Sequence, residues 1–440
     1  MKSFLSKARF GALALLATIA AVLPMATVAA AAARVFEFGH SWVTQTRQNF
    51  ALGANTLTGL IPTLYESLDV VSRELVGIIP AVTRDTQVAR AAKGQVVNSP
   101  VAPAVSAADI TPGVTAPNDG DQVIGALPMT ISKSRYVPIR WNGEEQMGLA
   151  SGPGYRGILG DQFTQAFRTL VNEVESDLIA VGYKNASRAY GTPGTAPFGT
   201  AGDLSDIAQM AMILDDNGAP TSNRHLVLGS AGMANLRGKQ NILFKANEAG
   251  TDELLRRGTI GELEGFAIHN SAQVKAFTKG TGASYTTNTA GYAVGATQIT
   301  LITGTGTVNP GDVVTFAGDA NKYDVVAGVA APGVITIGAP GLRQAIPGSA
   351  TAMTVGNSYT PNLAFSSNAM VLATRLPAVP VDLNGVMSDM ADDRVTVQDP
   401  VSGIAFEIST YRQYRQIKFE VALAWGVANM KQEHTAILQG

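Results

Sequence analysis

Four histidines, His40, His225, His269 and His434, are the scarcest chemically versatile side chains in this 440-residue chain. A zinc-protease helix needs two histidines on one helical face, and zinc fingers need a pair three to five residues apart. None of the four has such a neighbour. The chain has no cysteine, so thiolate ligands, thiol nucleophiles and disulfides are excluded. Asp215-Asp216-Asn217-Gly218 opens like a calcium loop, but position twelve from Asp215 is Leu226, where a bidentate Glu is required. The tetrapeptide reads instead as a helix-ending turn. Asp389, Asp392 and Asp393 could hold a divalent cation at a subunit contact, but a solvated loop is the favoured reading. No phosphate-cradling G-x-x-x-x-G-K-[ST] and no G-x-S-x-G nucleophile elbow occur. Asn185-Ala186-Ser187 is a formal glycosylation sequon that falls inside an expected helix. Met210, Met212, Met233, Met387 and Met390 read as core or contact filler, and Trp42, Trp141 and Trp425 are too dispersed for an obvious platform. No catalytic, cofactor-binding or metal-ligating residue is assigned. No enzyme, cofactor or small-molecule substrate is expected.

The elements behind these residues follow from periodicity. Leu57, Leu60, Ile61, Leu64, Leu68, Val71 and Leu75 recur at three and four, which predicts an amphipathic helix within residues 50–80. Arg84, Arg90 and Lys93 follow; they could touch DNA, but a solvated helix face is preferred. Residues 94–128 carry Pro100, Pro103, Pro112, Pro117 and Pro128, which exclude a helix and predict an extended arm or long hairpin. Thr130–Trp141 alternates like a strand, with Pro138 suited to a sheet edge. Phe163, Phe167, Leu170, Val174, Leu178 and Val181 mark one face of a helix over Asp161–Ala189, roughly 40 Å long at 1.5 Å per residue. Asp161 suits its positive end, and Lys184 and Arg188 its negative end. A second helix is expected from an Asp203 N-cap to Leu214, stopped by Asn217-Gly218, with a short strand at Arg224–Gly229.

Residues 276–360 differ sharply from their flanks: Lys279, Lys322, Arg343, Asp312, Asp319 and Asp324 are their only charges. Runs at Gln298–Ile302, Asp312–Phe316, Tyr323–Val326 and Gly333–Ile337, separated by Gly, Pro and Asn, read as a small barrel or sandwich. Ala369–Thr374, Arg394–Gln398, Ala405–Thr410 and Lys418–Trp425 read as further strands. Helices and sheets mix without strict alternation, so the fold class is α+β.

An apolar fraction of 46% against 15% charged residues suffices for large cores. A net charge of −2 provides no basic field for sequence-specific DNA binding. Lys2, Lys7 and Arg9 precede an uncharged run from Phe10 to Ala33, a secretory-signal pattern that is also long enough to span a bilayer. Translation from Met25 would remove most of it, so an over-extended start and a true extension both stand.

The run Gly258–Ser271 (GTIGELEGFAIHNS), read as turn, short helix, Gly, strand and Asn-Ser, is followed at a distance by a strand through Met370, Val371 and Leu372, then Arg375-Leu376-Pro377. The tail carries Gly403-Ile-Ala-Phe-Glu-Ile, Tyr411, Tyr414 and Val421–Gly426. In this order, interrupted by one β-rich insert, residues 50–440 resemble the major capsid (coat) protein of tailed bacteriophages, of the short-tailed-phage type with an inserted β-barrel. The resemblance implies the Hong Kong-type capsid fold: N-terminal arm, extended loop, spine helix, and peripheral and axial domains.

The segments expected are a signal-like stretch or mis-assigned start at 1–33, an arm with helix at 34–93, an extended loop at 94–150, spine helix and central domain at 151–275, the inserted barrel at 276–360, and a return to the central domain at 361–440. The implied function is an icosahedral shell around double-stranded DNA. The implied partners are other copies of the chain in hexamers and pentamers, a scaffolding protein, a portal protein and packaged DNA held non-specifically. The implied location is the virion, with assembly in the host cytoplasm. In such relatives the insert is implicated in subunit folding and neighbour contacts. The extended loop and Phe36–Phe50 are expected to order only in the shell. The rivals are an exported surface-array or adhesive protein, should residues 1–30 act as a signal, and an encapsulin-like compartment.

Overall fold

The computed structural model describes residues 63–68, 77–101, 107, 109–110, 112, 125–148, 155–240, 261–384, 387–399 and 402–440. The signal-like segment, Met25, Trp42 and Phe36–Phe50 lie outside the described residues, as does most of the 50–80 helix. Of that helix, residues 63–68 are helical, with Leu64 and Leu68 buried. No helix among the described residues is long and apolar enough to cross a membrane.

In chain order the strands and helices are β1 (Thr83–Ala91), β2 (Val96–Val101), β3 (Gly125–Thr130), β4 (Lys133–Asn142), α1 (Gly143–Gly148), α2 (Tyr155–Lys184), β5 (Arg188–Gly191), α3 (Ser205–Asp216), β6 (Arg224–Leu228), α4 (Ser230–Lys239), β7 (Glu262–Leu263), β8 (Phe266–Asn270), β9 (Ala283–Thr287), β10 (Gln298–Thr305), β11 (Val313–Phe316), β12 (Lys322–Ala327), β13 (Val334–Ile337), β14 (Ala352–Val355), β15 (Pro361–Ser366), β16 (Met370–Pro377), β17 (Asp393–Gln398), β18 (Ala405–Gln413), β19 (Gln416–Asn429) and β20 (Thr435–Gln439). The fold is α+β.

Three sheets organise them. One runs β1-β16-β19-β18-β17, with β4 paired to β19 over residues 133–142. β4 is therefore an edge strand, which tolerates Pro138 because a proline has no N–H to offer a ladder. β2 and β3 pair only with each other, the ends of the ribbon expected from the proline-rich segment. The largest sheet runs β11-β14-β9-β10-β13-β12-β5-β20-β15-β6-β8-β7, and an added β11–β12 pairing closes its first six strands into a barrel. Tyr285, Ile299, Leu301, Phe316, Val325 and Ile335 are among the side chains filling that barrel. β12 also pairs with β5, so the barrel continues the central sheet rather than hanging from a linker.

α2 packs its predicted stripe, Phe163, Phe167, Leu170, Val174 and Leu178, fully inward. Phe163 meets Phe419 edge-on at 5.7 Å and Phe167 meets Phe406 at 5.0 Å, geometries aromatic pairs prefer. Toward its end the same helix reaches the central sheet, where Gly182 lets Leu363 close in: a Cβ there would lie 2.5 Å from Leu363 Cδ1. The other face of that sheet is covered by α3 and α4 through Ile207, Met210, Leu214 and Leu236 on Leu226, Leu228 and Phe266.

Several expectations change. α2 begins at Tyr155 and ends at Lys184, so Asp161 lies inside it and Arg188 belongs to β5. Asn185 and Ser187 follow the helix, and Ser187 is fully buried. The Arg84–Arg90 stretch is a strand, because parallel pairing with β16 outweighs a weak local preference. α3 is capped at Leu204 rather than Asp203, although Asp203 Oδ1 still accepts the Ser205 N–H at 2.9 Å. Its stop is as read, with Gly218 at φ +73°. The short helix expected within Gly258–Ser271 is a tight hairpin. Glu264 and Gly265 both have positive φ between β7 and β8, a turn conformation that twists correctly for paired strands.

Candidate functional site

Two indoles fasten α2 to the six-stranded sheet. Trp425 Nε1 donates to Asp177 Oδ2 at 2.9 Å and Trp141 Nε1 to Gln162 Oε1 at 2.8 Å. Lys133 on β4 donates to Asp177 Oδ1 at 2.9 Å and to Glu173 Oε1 at 3.0 Å. Strands β4 and β19 are thereby fixed on one helix face. Trp141 and Trp425, far apart in sequence, are brought to the same helix.

On the sheet face away from α2, Lys418 lies 5.2 Å from the Tyr136 ring and 5.6 Å from Tyr411, and Arg415 lies 5.7 Å from Tyr414. Tyr136 and Tyr414 are exposed, so cation–π pairs face outward here. The arginines of β1 are instead tied to their own chain. Arg90 pairs with Glu407 and donates to the Pro377 carbonyl at 2.7 Å, and Arg84 donates to the Ser402 carbonyl at 3.1 Å.

The connection from β16 to β17 contains the acidic trio. Asp389 pairs with Arg394, and Asp392 Oδ2 accepts the Arg412 backbone N–H at 2.6 Å. These carboxylates are spoken for by arginines. Among the described residues no group of three or more His, Asp or Glu is placed to hold a metal. Beside exposed polar residues such as Asp382, Asn384 and Ser388, the connection presents apolar side chains outward: Leu383 is fully exposed, Met390 is 90% exposed, and Val381 and Met387 are more than half exposed. Val381 and Met387 form an antiparallel bridge that shapes this turn. Of the methionines read as filler, Met210 and Met233 are core, whereas Met212, Met387 and Met390 face out.

Sequence spacing missed a histidine pair. β6 and β8 are adjacent and parallel, which sets His225 Nδ1 3.0 Å from His269 Nε2. Burial first, and the facing His269 second, lower the His225 pKa to about 4. His225 is therefore a neutral ring at neutral pH, hydrogen-bonded to His269.

A second buried titratable group joins barrel to central sheet. Asp324 of β12 is wholly buried, and its Oδ2 accepts the Ala186 N–H at 2.9 Å. Burial raises its carboxyl well above the ordinary value. Beside it Gly338 approaches so closely that a Cβ would fall 1.8 Å from the Ala186 carbonyl oxygen.

No protein-family model matches the sequence, and no curated protein matches it. Among solved structures the chain is similar to the capsid of the cyanophage P-SCSP1u, at 11% identity over 82% of this chain and 86% of that one, with a TM-score of 0.44. It is similar to a chain of Mycobacterium phage Che8, at 12% identity over 79% and 85%, TM-score 0.41. It is likewise similar to the capsid of a native GTA particle, at 10% identity over 83% and 89%, TM-score 0.40.

Proposed function

We propose that this chain is a major capsid protein whose copies build an icosahedral shell around double-stranded DNA. The observation that carries the reading is the succession of elements: a β2–β3 ribbon, α2 laid on a six-stranded sheet, and a central sheet interrupted after β8 by a closed barrel. The chain then returns to both sheets. That succession agrees with the order implied by the sequence motifs.

The surfaces support assembly physically. A two-stranded ribbon is marginal by itself in water, and β2–β3 is anchored at its base, where Met129 joins Ala91, Ile131, Ala373 and Ala424. Lying across a neighbour would cover it. Leu383 and Met390 project apolar area that a soluble monomer has no use for. A shell repeats such modest contacts by symmetry. Packaged DNA would be held without sequence readout, since the chain carries no net positive charge. A separate scaffolding protein would set shell size, and a portal protein would occupy one vertex.

Negative-stain electron microscopy of the chain produced from Met25 with its neighbouring genes tests this. Closed shells of uniform diameter are expected. Sheets or fibres of a chain recovered outside the cell and trimmed near Ala30 would overturn it in favour of an exported surface protein.

A further inference from the structure

A cleft of about 550 Å3 opens between α3, the loop after β5, the start of β12 and the end of β20. Lys322, Gln439 and Arg188 are among the side chains that line it. Lys322 donates to the Gly191 carbonyl and, at 3.3 Å, to Gln439 Oε1. Both acceptors are neutral, and among the described residues no carboxylate pairs with its ammonium; burial lowers its pKa. Gln439 is 1% exposed, and with its Oε1 facing Lys322, its Nε2 has no acceptor. Arg188 is 4% exposed; its terminal nitrogens serve Asn321, Ile213 and Asp216, while its Nε has no acceptor.

Native structures rarely leave a buried donor without an acceptor. Two such donors and an unbalanced ammonium line one cleft. The acids there do not relieve them. Asp203 accepts the Ser205 N–H and Asp206 the Phe198 N–H at 2.7 Å, and neither pairs with Lys322. The Asp206 bond helps hold Phe198 at φ +58°, a backbone region costly for a bulky residue. Pro197, Phe198 and Met212 supply an apolar wall.

We propose that this cleft binds a carboxylate, an oxygen of which accepts from Lys322 Nζ while its aliphatic stem lies on the Pro197–Phe198–Met212 wall. A carboxylate brings the negative charge that the neutral acceptors on Gly191 and Gln439 do not supply. It could come from a free organic acid or from an acidic side chain of a second copy of this chain, and the two sources are separated below. Binding by the dispersed chain is read before any assembly, so this site stands or falls apart from the shell reading.

The test is calorimetric titration of the purified full-length chain with N-acetyl-glutamate at pH 7, against sodium chloride of equal ionic strength. Saturable binding is expected in the wild type and in Lys322→Arg. Lys322→Met should weaken it about tenfold or more. So should Met212→Asp, at an exposed position on the wall, because it adds a like charge without touching the core. If the natural occupant is a side chain of a second copy, Lys322→Met also lowers particle yield and N-acetyl-glutamate inhibits wild-type assembly. If it is a free acid, assembly is unchanged while binding is lost. No saturable binding by the wild type, or equal binding by both Met212→Asp and a folded Lys322→Met, overturns the proposal.

Discussion

Trp425 of β19 donates its indole N–H to Asp177 of α2 across 248 residues of sequence, at 2.9 Å. The other oxygen of that carboxylate takes Lys133, so one aspartate joins a helix to two strands. The indole is fully buried, and the bond operates where water cannot substitute for it.

Trp425→Phe keeps most of the packing and removes the donor. It is expected to cost about 1–3 kcal/mol, the usual range when a partner of a buried charged group is deleted. Urea unfolding of variant and wild type measures this. Loss below about 0.5 kcal/mol would show that the bond does not fasten α2.

Asp324 makes stability depend on pH with a definite sign. Its folded pKa is raised above the ordinary 3.8, so the native chain keeps a proton that the unfolded chain gives up. Stability is full below 3.8 for this group and falls as pH rises toward the raised folded value. Asp324→Asn cannot ionise and still offers Ala186 an acceptor. Its urea midpoints should fall less steeply than wild type as pH rises above 3.8. Parallel curves would sink the assignment. Asp324→Ala removes the acceptor and should cost about 1–3 kcal/mol.

His225 has the opposite sign. Its folded pKa is lowered from 6.5 to about 4, so its contribution is present above 6.5 and lost as pH falls through about 4. The ring proton resonances of His225, followed by NMR, should titrate near 4, and His269→Phe should move that midpoint upward by removing the facing ring's positive charge. Titration of His225 near the ordinary histidine value in the wild type would refute the paired geometry.

The exposed apolar turn predicts a variant that folds but does not assemble. Leu383→Glu and Met390→Glu alter side chains that touch little of their own chain, so stability should change by no more than about 0.5 kcal/mol. Electron micrographs should show few or no closed shells. Normal shells from both variants would remove this turn from the assembly surfaces.

Much of this fold was legible because its signals are local. The stripe from Phe163 to Leu178 predicts α2, since each position lies one turn from the next. The short β-branched runs between glycines predict β10 to β13, and the prolines of 94–128 predict an extended ribbon. β1 was misread because TRDTQVARA carries no decisive period, and its strand state comes from β16, almost 290 residues away. The hairpin at Glu264-Gly265 was misread as a short helix because a three-residue segment between glycines holds too little pattern to choose.

By itself, then, the sequence determined many of the local conformations, among them α2 and β10 to β13, together with the α+β class and the absence of thiol chemistry. Each depends on residue type or on spacing within a turn or two. Only the tertiary structure decided that Trp425 meets Asp177, that His225 meets His269 and that the barrel joins the central sheet through β12 and β5. It also left Lys322, Gln439 and Arg188 lining one cleft with donors to spare. These relations come from strand order and register between distant segments. Hydrophobic burial is non-directional, so a one-dimensional pattern says which side chains go inside but not which distant partner each will find there.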